Sequence, residues 1–198
     1  MKSFHQQLRA MNKKLIFGFL LFNLILLSCS SPVQKESPSN SEAKEVFDPE
    51  AKLKELGIDL PSPAAPVANF VNAVKVDNLL FLSGNGPLKS DGKFITGKLG
   101  ENLTIEDGYE AARLTGINQI AILKSAIGDL SKVKRIVKVL GMVNASSDFN
   151  DHPKVINGYS DLMVEVFGDR GKHARAAVGM ASLPFNIAVE IEMIVEIE

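Results

Sequence analysis

Near its end the chain carries Arg175 and the acids Glu190 and Glu192 in the stretch RAAVGMASLPFNIAVEIEMIVE, whose alternation divides apolar from polar positions. Ala176, Val178 and Met180 share one side of a first expected strand. Val189, Ile191, Met193 and Val195 share one side of a second, and Pro184 lies in the loop between the two. Paired as a symmetric hairpin centred between Ser182 and Leu183, these strands would set Arg175 across from Glu190. Such a pair sets a planar guanidinium beside a carboxylate. The same charges also suit the solvated side of a half-buried sheet, where the ion pair contributes well under about 1 kcal/mol.

Other chemistry-bearing motifs are sparse. Ser83-Gly84-Asn85-Gly86-Pro87 lacks the third glycine, the Lys-Ser/Thr pair and the following helix of a phosphate cradle, so it reads as a turn. His152 and His173 form no cluster with Cys or carboxylates, and no metal or other cofactor is expected. Lys132, Lys134, Arg135 and Lys138 read as a solvated edge, because no row of aromatic residues accompanies them as single-stranded nucleic acid would need. With 22 basic and 23 acidic residues the net charge is −1, and nothing in it calls for a nucleic-acid partner. An apolar fraction of 45% supports a real core.

The N-terminus reads as an address. Lys13 and Lys14 precede an apolar run, Leu15 to Leu27, that is short for a spanning helix. It ends in Leu26-Leu27-Ser28-Cys29, which resembles the lipobox of bacterial lipoproteins, with Cys29 as the lipid-bearing residue of an exported, membrane-anchored protein. Met11 would also open a complete signal of ordinary length. Ser30 after Cys29 is compatible with outer-membrane sorting. The expected organisation is a signal peptide at 1–28, a flexible tether at 29–47, a short helix and Pro-rich lead-in at 48–66, and one folded domain at 67–198.

Within that frame, Asp48 caps a helix from Pro49 to Leu56 that Gly57 stops. Strands Asn69–Lys75 and Leu79–Ser83 meet at a tight Asp77-Asn78 turn. Thr104 and Asp107 form a capping box that opens a long helix to Ile127, stopped by Gly128. Val133–Asn144 is a strand with Val137, Val139, Gly141 and Val143 on one side and Lys134, Ile136, Lys138 and Leu140 on the other. A second helix runs from Asp148 to Val166, with an irregularity expected at Asn157-Gly158, and the two final strands follow. The order β-β-α-β-α-β-β predicts an α+β domain with two helices on one face of a mixed sheet, and partly apolar residues on the other face predict contact with other subunits.

With that order, ARAAVGMASLPFNIAVEIE at 174–192, FLSGNGP at 81–87 and INGYSDLMVEVFG at 156–168 resemble the Rid family of reactive intermediate (enamine/imine) deaminases, the YjgF-like or endoribonuclease L-PSP group. The resemblance spans residues 66–198 and implies a chorismate-mutase-like fold and a homotrimer with ligand clefts between subunits. It further implies that Arg175 binds the substrate carboxylate and that Ser83 and Gly84 line the turn beside it. Asn157 would contribute from the second helix, and Glu190 would lie near the attacking water. Phe70 stands where active members commonly carry Tyr, Ala177 where many carry Cys, Asn85 in place of Gln, and His173 in place of a common Pro. The implied activity is hydrolysis of 2-enamino and 2-imino acids of the 2-aminoacrylate type. The alternative is a non-catalytic module on the cell envelope that binds or senses small carboxylates, and ribonuclease activity ranks last.

Overall fold

The computed structural model describes residues 47–198. The expected signal peptide, Cys29 and the tether as far as residue 46 lie outside the described residues. The first described element is α1, Pro49–Glu55, capped by the Asp48 side chain, which accepts from the Ala51 amide at 2.9 Å. Its Leu53 is buried in the domain core, and Lys124 reaches Glu50 at 2.7 Å.

Five strands form one sheet in the order β1-β2-β5-β3-β4, where β1 is Ala73–Val76, β2 Leu79–Asn85, β3 Val133–Asn144, β4 Ala174–Met180 and β5 Val189–Ile197. The long helices α2, Ile105–Ile127, and α3, His152–Phe167, cover one face. The α+β order read from the sequence therefore stands, as does its mixed sheet: β3 and β4 run parallel and the other neighbours antiparallel. The β3-α3-β4 unit is a strand-helix-strand crossover, which is why those two strands can run parallel.

Local signals account for most element ends. Asp77 takes φ 51° in the β1-β2 turn, and the Thr104–Asp107 capping box is formed in both directions at the start of α2. Two ends differ from expectation for local reasons. β1 starts at Ala73 because upstream of Asn72 the backbone bonds otherwise: the Phe70 amide donates to Ala68 O and Val71 O accepts from the Ser83 hydroxyl. α3 starts at His152 because Asn150 donates to Asp148 O and Phe149 to Ser146 O, a turn that competes with helix.

Register fixes the faces. Met193, Val139 and Arg175 form one row across β5, β3 and β4 on the helix side, followed by Ile191, Gly141 and Ala177. Alternation predicted Ile136 on the opposite side, with the lysines. Register shifts at Val133/Arg135 and Ile136/Lys138 instead turn Ile136 into the core, 1% exposed. The other face carries Val74, Phe81, Ile194, Leu140, Met142 and Val178, and nothing among the described residues covers it: Val74 is 51% exposed and Phe81 40%.

Candidate functional site

The two strands expected to form a hairpin do not pair with each other. β3 lies between them, so Arg175 is in register with Val139 and Glu190 with Met142. Two strand spacings and a three-residue offset separate their Cα atoms by on the order of 14 Å. They also point to opposite faces, since Arg175 shares the helix-side row and Glu190 the open one. The expected Arg175–Glu190 pair is thus absent within one chain, because the connection from β4 to β5 passes over β3 instead of turning back as a hairpin. That connection contains Phe185 and Asn186 at φ 55° and 57°.

The structure divides the candidate residues into two groups. In the first, Glu190 lies over Gly84, where a Cβ would come within 2.3 Å of its Oε1, so only glycine leaves the carboxylate its place. Gly84 sits where the β2-β5 register shifts between Leu82 and Asn85, so the expected turn is a bulge inside a strand. Gly84, Glu190, Phe70, Asn72, Phe94 and Phe185 help to line a groove of about 1050 Å³, with the Pro-rich residues 61–67 as one wall. Phe70 is 48% exposed. Ser83 does not line the groove: its hydroxyl donates to Val71 O at 2.7 Å and ties down the segment before β1.

Burial, and then the negative charge of Glu192, hold the Glu190 carboxyl above the usual carboxylate range. A carboxyl so raised can accept a proton nearer neutrality and orient a water. Because folding favours its protonated form, its contribution to stability is present at low pH and is lost as pH rises through the raised value. Glu190→Gln is therefore expected to raise the melting temperature at pH 7.5, with the gain vanishing below about pH 4, where both side chains are neutral. Calorimetry at the two pH values checks this, and an equal shift at both would remove the electrostatic account.

The second group surrounds Arg175, which is half-buried. Its Nη1 donates to Asn157 Oδ1 at 2.9 Å and to Ser160 Oγ at 3.0 Å, both on α3 and one turn apart. Both Nη1 protons are thereby engaged. Among the described residues Nε and Nη2 have no hydrogen-bond partner, so that edge is free to bind a carboxylate in two places. Arg175 does not line the groove that holds Glu190. Also among the described residues, no three His, Cys, Asp or Glu side chains gather as metal ligands would.

Two contributors escaped the sequence reading. Ser160 supports Arg175, and Gln119 supports the Gly84 bulge. The buried Gln119 amide donates to Ser83 O at 3.2 Å and Ile191 O at 2.6 Å and accepts from the Tyr159 hydroxyl, joining both helices to β2 and β5. The signal was available: position 119 falls in the apolar stripe of Ala112, Gly116 and Leu123, where an amide must find buried partners.

Comparison with known proteins agrees with this fold. Residues 50–197 match the model of a family described as YjgF/chorismate mutase-like, with an endoribonuclease assignment. The Trypanosoma cruzi protein TCP17 is 45% identical over 148 residues, 74% of this chain and 92% of that protein. A 2-iminobutanoate/2-iminopropanoate deaminase of Dermatophagoides farinae is 32% identical over 142 residues, 71% of this chain and 95% of the deaminase. A crystal structure of an Agrobacterium tumefaciens protein of unknown function superposes with a TM-score of 0.71 at 46% identity, covering 76% of this chain and 92% of that one.

Proposed function

Since the chain belongs to the YjgF/chorismate mutase-like family, we propose that it hydrolyses reactive 2-enamino and 2-imino acids to 2-oxo acids and ammonia, at sites shared between copies. The observation that carries this reading is the division of the charged groups: Arg175 with an unpartnered Nε/Nη2 edge and Glu190 with its half-buried carboxyl, turned to opposite faces of one sheet. In a homotrimer, each crevice would join Arg175 of one copy to Glu190 of its neighbour. The uncovered apolar face supports such an assembly, because exposed large apolar side chains gathered on one sheet face ordinarily pack against a partner.

In the proposed reaction the substrate carboxylate docks on Nε and Nη2 of Arg175, which fixes the imine carbon in register. An enamine first tautomerises to the imine, its β-carbon gaining a proton as its nitrogen gives one up. Water oriented by Glu190 attacks the imine carbon, the carbon–nitrogen π bond opens toward nitrogen, and Glu190 takes the proton lost by water. Glu190 passes that proton to the nitrogen, completing the carbinolamine; on collapse Glu190 takes the hydroxyl proton as the carbonyl forms and hands it to the amine, which leaves as ammonia. Every atom comes from substrate and one water.

The test adds the protein to a serine dehydratase reaction and times pyruvate release. Acceleration that disappears in Arg175→Ala supports the reading, and no acceleration, or acceleration that survives the substitution, rejects it. Phe70 favours a second reading, a non-catalytic carboxylate-binding module, because no phenol is present at that place in the groove. Binding of 2-oxobutanoate without turnover would select it. We further propose that a lipid on Cys29 anchors the domain at the cell envelope, as the lipobox-like Leu26-Leu27-Ser28-Cys29 supports. Loss of membrane fractionation in Cys29→Ser would bear that out, and unchanged fractionation would not.

A further inference from the structure

We propose that His173 and Ser160 form a positioning relay behind Arg175 that tightens carboxylate binding as the pH falls, a reading that rests on the carboxylate role proposed above for Arg175. His173 stands just ahead of β4, and its Nδ1 is 2.7 Å from Gly171 O. A carbonyl oxygen only accepts, so Nδ1 carries the proton of the neutral ring and Nε2 keeps a lone pair. Nε2 is 3.0 Å from Ser160 Oγ, so the serine donates its single proton there. The serine oxygen is then left to accept from Arg175 Nη1 at 3.0 Å. Proton direction along the relay is fixed, from guanidinium to hydroxyl to imidazole, and together with Asn157 it holds the guanidinium by Nη1, leaving the Nε/Nη2 edge without a hydrogen-bond partner among the described residues.

A second proton on the ring changes this arrangement. Nε2 becomes a donor, Ser160 must turn its own proton away, and one oxygen accepts from two cations. The groups facing the ring are Ser160 and the nearly perpendicular Tyr159 ring from α3, the Gly171 carbonyl from the preceding turn, and Arg175 from β4. Of these only Arg175 is charged, and burial pushes the Tyr159 hydroxyl above its ordinary range. Burial of the imidazole, together with the Arg175 charge, disfavours protonation in the unliganded protein and outweighs the opposing bond to Gly171 O. An anion on Arg175 offsets its charge, so the protonated ring becomes tolerable. By reciprocity, a protonated ring must then bind the anion more tightly.

The experiment measures the affinity of the full chain for 2-oxobutanoate between pH 5.5 and 8 and follows the His173 ring by NMR, assigned with His173→Gln. The expected results are an Nδ1–H tautomer, a His173 pKa that rises when 2-oxobutanoate saturates, and a Kd about fivefold tighter at the acid end, the low range of couplings between sites. His173→Gln should flatten the profile. Glu190→Gln should leave the His173 response in place, which separates it from titration of the acid. Ser160→Ala should weaken binding throughout the range and uncouple the ring from the ligand. Binding with a flat profile, a slope retained in His173→Gln, or an Nε2–H tautomer overturns the relay alone. Absence of binding at every pH overturns it together with the carboxylate reading.

Discussion

Arg175→Ala and Glu190→Gln proteins are each expected to lose activity on imine substrates by about 10²-fold or more, and to regain about a quarter of the wild-type rate when refolded together. The individual losses follow from the chemistry. Without the guanidinium fork the substrate carboxylate has no two-point anchor, and without Glu190 the water has no oriented acceptor. The recovery follows from the geometry. Arg175 and Glu190 sit on strands separated by β3 and face opposite ways, so no single chain assembles both. In randomly mixed assemblies, a crevice is intact when its Arg175 comes from a Glu190→Gln copy and its Glu190 from an Arg175→Ala copy, hence about one crevice in four. Pyruvate or 2-oxobutanoate release by the co-refolded mixture is the measurement. A mixture no faster than its components would show that the two residues do not share a crevice, and the proposed reaction would lose its acid.

Gly158→Ala is expected to destabilise the domain by about 3 kcal/mol, lowering its melting temperature by roughly 10 °C, although alanine is the better helix former by about 1 kcal/mol. A Cβ at 158 would meet the Tyr109 carbonyl oxygen at 2.0 Å and its carbon at 2.8 Å. Those atoms belong to the backbone of α2, so α2 and α3 must separate instead of a side chain turning aside. Asn157 and Ser160 flank this position and both hold Arg175, so the shift should also weaken carboxylate binding. Thermal unfolding by circular dichroism, read beside 2-oxobutanoate affinity, checks both effects. A melting temperature equal to or above that of the parent would show that the helices do not approach so closely.

The same glycine shows how far the sequence reading reached. Asn157-Gly158 suggested an irregularity, because glycine costs a helix conformational entropy, yet α3 runs through it unbroken. The reason lies on a different helix. Gln119 and Ser160 were passed over similarly: both are polar residues in helices whose partners lie on other elements, β2, β5 and α3 for Gln119, and Arg175 of β4 with the His173 that precedes it for Ser160. Gly84 was legible as a glycine but read as a turn. Its need for a missing side chain arises from Glu190, which is more than a hundred residues away.

What the sequence determined by itself were features decided within a few residues: the Asp48 cap, the Thr104–Asp107 box, the Gly128 stop, the Asp77 turn, the extent of β3 and the order of strands and helices. Each depends on a hydrogen bond or a backbone preference whose partners are adjacent in the chain. Only the tertiary structure decided that β3 enters between β4 and β5, that two register shifts turn Ile136 inward, and that Arg175 and Glu190 face apart. Strand neighbours are chosen by which apolar rows bury together across the whole sheet, and alternation along one strand carries no information about which strand will lie beside it.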